Sequence, residues 1–374
     1  MPVRQYAPCN GNNRLREINI DTSTEHIALS GDAVSAIDAA NQLGDILAMP
    51  DHIEDALWRA ESAMIAPKPA KALVVCGMGG SAIGADLAVA LIGARLRCPI
   101  HIVRGYDLPS WVDADCAVLC SSYSGNTEET LSCWQQAGEI GATRYVASAG
   151  GSLSQQAHDS GVAVIGLPGV LQPRAAVAYM VTAVVEIAVV TGAADASLRD
   201  ELRAAITPLR ALASQWLPDA PDDALPKRLA RSALGSEVVL YGGGPTTPVA
   251  VRWKCQINEN AKVPAWSAEL PEANHNDING WDGAASVGKH SVWFLRDSGQ
   301  HERVQRRIDF TADVVTKAGV TTEILDAPGE TATQRLFGSV LCGDLTSLYL
   351  AVLIGVDPSP VPIIEGLKDW LGRP

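Results

Sequence analysis

Two stretches of the chain, Lys71–Ile92 and Glu237–Glu259, run the same way: a short apolar segment, a glycine-rich turn, then a helix-forming segment. The first reads Lys71-Ala-Leu-Val-Val-Cys76, then Gly77-Met-Gly-Gly-Ser-Ala-Ile-Gly84, then the apolar Ala85–Ile92. The second reads Glu237–Tyr241, Gly242-Gly-Gly-Pro-Thr-Thr-Pro248, then Val249–Glu259. Further strand-like runs follow each: Pro99–Val103, Cys116–Cys120, Arg144–Ser148 and Val162–Ile165 after the first, Ser291–Leu295 and Thr322–Leu325 after the second. Short β-branched strands alternating with helices predict an α/β chain of mostly parallel sheets covered by helices on both faces. The repeated pattern predicts an internal duplication.

A length of 374 residues suits two domains. The helical, proline-interrupted segment Thr191–Leu234, with Pro208, Pro218, Pro221 and Pro226, holds the boundary. The expected division is 1–65 for an N-terminal extension with helices, 66–200 for the first domain and 201–374 for the second. Within the extension, residues 1–30 read as a polar lead-in, and Asp32–Leu47 and Asp51–Ala63 as helices without evident chemistry. A net charge of −13 argues against nucleic acid as the main partner, though not against a sugar phosphate, which a local site can hold. The eight cysteines form no CxxC pair, and several lie in apolar runs; with no leader segment, this predicts a reducing cytoplasm. The apolar run Ala175–Val190 is interrupted by Tyr179, Thr182 and Glu186 and is shorter than the roughly 20 residues a bilayer needs. It reads as a buried helix, so no membrane partner is expected.

The chemistry-bearing stretch is Cys120-Ser-Ser-Tyr-Ser-Gly-Asn-Thr-Glu-Glu-Thr130. Ser122, Ser124 and Thr127 bring hydroxyls to a tight turn that enters a helix, where unpaired N–H groups and the helix dipole suit a phosphate. The plainer reading is an ordinary N-cap. Gly77–Gly84 is not a Walker A loop, because Ala85-Asp86 stands where Lys and Ser/Thr are required. It fits the GxGxxA dinucleotide fingerprint at Gly77, Gly79 and Ala82, but His101-Ile-Val-Arg104 replaces the expected acid. The preferred reading lets Gly79 and Gly80 bring the backbone close to a substrate, with Ser81 adding a hydroxyl. Arg174, after the fifth strand, falls on the same carboxyl edge, unless it merely pairs with a neighbouring carboxylate. Glu259 lies in a polar helix, where a solvated surface role is the ordinary case. His275 lies in an Asn-rich loop, Glu269–Trp281. One Glu and one His of this kind suit proton transfer beside a carbonyl. There is no nucleophile elbow and no HExxH, and Glu269, Glu272 and Asp277 lack the His or Cys partners of a metal site.

Taken together, Gly77–Gly84, Ser122–Thr127, Pro173-Arg174, Asn258-Glu-Asn-Ala-Lys262, Pro271-Glu-Ala-Asn-His-Asn276 and the tail Gly355-Val-Asp-Pro through Leu367-Lys368 resemble the bifunctional phosphoglucose/phosphomannose isomerase family. This family lies within the sugar isomerase (SIS) superfamily, and the match runs from about Leu73 to Leu371. The resemblance implies two SIS-type domains and a homodimer with the active site between the domains and at the subunit interface. It implies that fructose 6-phosphate is interconverted with glucose 6-phosphate and mannose 6-phosphate through a cis-enediol(ate), in glycolysis and gluconeogenesis, with no metal or nucleotide cofactor. Carried over by position, Ser122, Ser124 and Thr127 would hold the phosphate, and Gly79, Gly80 and Ser81 would line the sugar. Glu259 would be the base and Arg174 would stabilise the intermediate. His275, from the neighbouring subunit, and Lys368 would assist ring opening. The stretch between His275 and Lys368 is longer than the family's, which bears on Lys368. A non-catalytic sugar-phosphate sensor would keep the hydroxyl loop but need not keep Glu259, Arg174 and His275 together. An isomerase of another phosphosugar would keep all of them.

Overall fold

The computed structural model describes residues 28–371. Residues 1–27 of the expected polar lead-in lie outside the described residues. Three helices come first: α1 (Gly31–Ile37), α2 (Gln42–Leu47) and α3 (Met49–Ser62). The single helix expected over Asp32–Leu47 is thus broken in two. Asn41 takes a left-handed conformation (φ 55°). The Asp38 carboxylate then accepts the backbone N–H groups of Gln42 at 2.8 Å and Leu43 at 2.7 Å, restarting the chain as α2.

The first sheet is built from β1 (Leu73–Cys76), β2 (Ile100–Val103), β3 (Ala117–Ser121), β4 (Thr143–Ser148) and β5 (Val164–Gly166). All neighbours are parallel, in the order β2-β1-β3-β4-β5. Its crossovers include α4 (Gly79–Ile92), α5 (Glu128–Ile140) and α6 (Gly151–Asp159). A short 3₁₀ turn, Pro173–Ala176, leads into α7 (Val177–Val190). Then come α8 (Ser197–Ser214) and α9 (Leu225–Ser232). Pro208 was expected to interrupt the connecting segment, yet α8 runs through it. It sits on the exposed side, where water can satisfy the carbonyl that loses its donor, while Leu198, Leu202, Ala205, Ile206 and Leu209 fix the buried side.

The second sheet is also parallel: β6 (Glu237–Gly243), β7 (Ala265–Leu270), β8 (His290–Arg296) and β9 (Thr321–Asp326), in the order β7-β6-β8-β9. With it go α10 (Thr247–Gln256), α11 (Glu302–Lys317), α12 (Ala332–Ile354) and the terminal α13 (Pro362–Leu371). β7 was not foreseen. It is an edge strand with Trp266 exposed, so it lacks the continuous apolar run that marks the central strands. Residues 269–281, expected to be one loop, instead finish β7 and continue as 3₁₀ turns.

One contiguous apolar core joins the facing sides of both sheets, with Leu73, Leu119, Val181, Leu240, Trp253 and Leu348 all within it. The outer faces have separate cores, one with Trp134 and Leu153, the other with Phe294 and Ile308. Among the described residues, two helices are long and apolar enough to cross a membrane, Pro173–Val190 and Ala332–Ile354, but they are 89% and 94% buried inside this fold. They are walls of the shared core.

Candidate active site

The site grows from the carboxyl edge of the first sheet. β1 and β3 are neighbours, with Cys76 opposite Cys120, so the turns that follow them emerge side by side. A Cβ on Gly77 would stand 2.9 Å from the Ser121 carbonyl, and one on Gly80 3.2 Å from the Pro173 carbonyl. The glycine-rich turn is therefore packed between the hydroxyl loop and the turn that carries Arg174. α4 begins earlier than expected, at Gly79, so Gly79, Gly80 and Ser81 form its first turn. Gly79 (φ 49°) faces open space, whereas Ser81 is buried.

The hydroxyl loop is organised by itself. Ser122 Oγ and Thr127 Oγ1 share a hydrogen bond at 2.8 Å, and Ser122 Oγ accepts the Gly125 N–H at 3.1 Å. Ser124 Oγ accepts the Asn126 N–H at 3.2 Å. Thr127 is the N-cap residue of α5, but its side chain caps nothing, so the first-turn N–H groups of that helix have no side-chain acceptor from it. That arrangement departs from an ordinary cap and leaves donors for an anion.

Arg174 and Glu259 are brought together. Nη1 of Arg174 lies 3.5 Å from a Glu259 carboxylate oxygen. Arg174 is buried, and Glu259, expected to be a solvated surface residue, is half-buried. The reason is local: α10 gives way after Gln256 to a π-helical turn, Ile257–Ala261. Its extra residue re-aims the side chains, and such turns recur at functional sites. The face expected to be polar is largely internal, with Arg252, Trp253, Gln256 and Asn260 buried. Lys262 closes the turn in a left-handed conformation (φ 58°) and donates from Nζ to the carbonyls of Glu259 and Pro358.

The other nitrogens of Arg174 are held by the protein. Nε donates to Asn260 Oδ1 at 2.8 Å. Nη2 donates to Gln42 Oε1 at 3.1 Å and to the carbonyls of Pro358 at 2.7 Å and Ser359 at 2.9 Å. Burial pulls the guanidinium below its usual pKa, and the Glu259 charge opposes this. Behind it, Arg252 binds the Asp344 carboxylate with two nitrogens, at 3.0 and 2.6 Å, and donates to the Arg174 carbonyl at 2.9 Å. The sequence did not single out Gln42, Asn260 or Arg252 as functional. Asn260 stood inside a motif, while nothing in the pattern marked Gln42.

His275 and Lys368 are not bonded to this group. His275 is exposed at the end of a 3₁₀ turn beyond β7, and Lys368 lies on α13, none of whose residues is buried. Neither side chain makes a hydrogen bond or ion pair with another described residue. Among the described residues, no group of three His, Cys, Asp or Glu side chains is arranged to hold a metal ion.

Comparison with known proteins agrees with this architecture. Residues 222–371 match the family model for the bacterial phospho-glucose isomerase C-terminal SIS domain. The bifunctional phosphoglucose/phosphomannose isomerase of Caldicellulosiruptor bescii is 36% identical over 306 residues, covering 80% of this chain and 89% of that protein. The protein of the same name from Aquifex aeolicus is 34% identical, covering 82% and 92%. Among solved structures, a hypothetical protein from Thermus thermophilus superposes with a TM-score of 0.71 over 91% of this chain and 93% of that one. At 16% identity, this shows the shared fold alone. On sequence, and with the two-sheet α/β fold in place, the chain belongs to the bifunctional phosphoglucose/phosphomannose isomerase family.

Proposed function

We propose that this chain is an aldose–ketose isomerase that interconverts fructose 6-phosphate with glucose 6-phosphate and mannose 6-phosphate through a cis-enediol(ate), without a metal. The observation that carries this reading is the pairing of a half-buried carboxylate, Glu259, with the buried guanidinium of Arg174 beside the glycine-rich turn. The substrate phosphate sits against Ser122, Ser124 and Thr127 and the first turn of α5, and Gly79, Gly80 and Ser81 line the sugar. Glu259 takes the proton from one of the two carbons and returns it to the other, with both electrons of the C–H bond entering the enediolate. Arg174 Nη1 stabilises the negative oxygen. One such donor is typically worth about 10²- to 10³-fold in rate. His275 and Lys368 move the protons of ring opening.

The same proposal includes a homodimer with the site at its interface, a cytoplasmic location, and domains at 66–200 and 201–374 after an extension over 1–65. Two features support the dimer. His275 is exposed in the single chain. On α13, Ile363 is 87% exposed and Leu367, Trp370 and Leu371 all exceed half, which is an apolar stripe at helical spacing that the described residues do not cover.

The test incubates the purified protein with fructose 6-phosphate in EDTA and measures glucose 6-phosphate and mannose 6-phosphate separately, beside Glu259→Gln. Both products with wild type and almost none with the variant are expected. Binding of fructose 6-phosphate without turnover would leave a sensor, and turnover of a different phosphosugar alone would leave another isomerase of this fold.

A further inference from the structure

The N-terminal helices carry no recognisable motif, yet one of their residues reaches the centre of the site. Gln42, 1% exposed, opens α2, and its backbone is fixed by the Asp38 carboxylate. Both ends of its side-chain amide are used. Nε2 donates to Asn260 Oδ1 at 2.8 Å, and Oε1 accepts from Arg174 Nη2 at 3.1 Å. Asn260, fully buried, accepts Arg174 Nε on the same oxygen and donates from Nδ2 to Ser347 Oγ at 2.9 Å. With the Pro358 and Ser359 carbonyls on Nη2, the guanidinium fork is held along its Nε–Nη2 edge. Nη1 alone is left facing Glu259, at a distance longer than a good charge-assisted hydrogen bond. Nη1 makes no hydrogen bond with another described residue, so its N–H groups remain for an oxyanion.

Building on the isomerase reading of Arg174 and Glu259, we propose that Gln42 is a positioning residue for the reaction: its amide fixes the rotation of the Arg174 guanidinium so that Nη1 faces the developing enediolate. A planar five-donor fork can satisfy its neighbours in more than one orientation. An amide bridging Nη2 and the Asn260 oxygen selects one. The role is distinct from starting α2, which the Asp38 carboxylate does through its local bonds to the Gln42 and Leu43 N–H groups.

The experiment compares wild type, Gln42→Met, Gln42→Glu, Arg174→Lys and the Gln42→Met/Arg174→Lys pair in the fructose 6-phosphate assay, with near-UV circular dichroism and Tm for each. Gln42→Met keeps the length and removes the amide's hydrogen bonds to Asn260 and Arg174, along with the 3.5 Å bond from Ser359 Oγ. Its kcat should fall about 10- to 100-fold while KM changes less than about threefold. Gln42→Glu keeps the acceptor for Nη2 but sets a carboxylate oxygen against Asn260 Oδ1 in place of the donor, so it should stay impaired as well. In the Arg174→Lys background Gln42→Met should add less than about threefold, because the fork it orients is gone. A kcat unchanged in Gln42→Met, a loss matching the fraction of unfolded protein, or full additivity with Arg174→Lys would each overturn the proposal. If the methionine variant does not fold, Gln42→Ala takes its place in the same cycle. Glu259→Gln run alongside separates the two claims: full activity there removes the isomerase mechanism, whereas a dead Glu259→Gln beside a wild-type-like Gln42→Met removes only the role of Gln42.

Discussion

Arg174 was singled out in a short motif at the carboxyl edge of a sheet, whereas Glu259 was singled out inside a family motif on a polar helix whose pattern alone suggested a solvated residue. Gln42 was not. Its partner Asn260 is 218 residues away, and a single buried glutamine leaves no periodicity behind. The environment of Arg174 makes a specific expectation for Arg174→Lys. A lysine offers one point charge and cannot span Asn260, Gln42 and the carbonyls of Pro358 and Ser359 together. It leaves buried acceptors unpaired, at about 1–3 kcal/mol each. The variant should therefore lose both rate, by about 10²- to 10³-fold, and thermal stability, by at least about 2 °C. Steady-state kinetics and a melting curve on one preparation check the pair. Normal stability with normal rate would show that the guanidinium fork matters to neither. Glu259→Gln, by contrast, alters a half-buried side chain whose neighbours stay paired. It should abolish turnover while shifting Tm by less than about 2 °C.

Among the elements, the central strands β1, β3, β4, β6 and β8 were legible because strands covered on both faces need continuous apolar runs. The edge strands β2, β5 and β9 were legible too, from their β-branched runs, whereas β7 was hidden because Trp266, Ser267 and Glu269 interrupt any such run. Glycine content misled at α4, whose first turn looks like loop because its residues are chosen for close approach and not for helix propensity. The π turn at Glu259 was invisible, for no composition distinguishes it from the α-helix it continues. The hydroxyl loop offers the sharpest test at this scale. Gly125 adopts φ 68°, and a Cβ there would lie only 1.8 Å from the Gly150 carbonyl. Gly125→Ala must push the loop away from the α6 start and disturb the Ser122–Thr127 pairing. A fall of at least about 10-fold in kcat/KM for fructose 6-phosphate is expected, with weaker product inhibition by glucose 6-phosphate as phosphate contacts are lost. Unaltered kcat/KM would detach this loop from phosphate binding.

At the level of the whole molecule, the shared core makes the two halves one body, and the residues placed on its outside need a different explanation. Arg174, Glu259, Asn260 and Gln42 converge within one chain. His275 and the apolar stripe of α13 are exposed on that same chain, and His275 makes no polar contact with the convergent group. A second copy related by a two-fold axis would cover such an apolar stripe and could bring its own His275 to the site. Subunit complementation decides whether it does. Glu259→Gln and His275→Ala are each expected to be inactive or nearly so as pure homodimers. If one site combines Glu259 of one subunit with His275 of the other, each mixed dimer contains one site with both lesions and one with neither. Co-refolding equal amounts should then restore activity, approaching about a quarter of the wild-type rate when subunits reassort at random. If both residues come from the same chain, every site in every mixed dimer keeps one lesion and nothing is recovered. Recovery that grows with the mixed-dimer fraction, followed by separation of two differently tagged subunits, would assign His275 to the neighbouring subunit. No recovery, with mixed dimers shown to form, would place the entire reaction within a single chain.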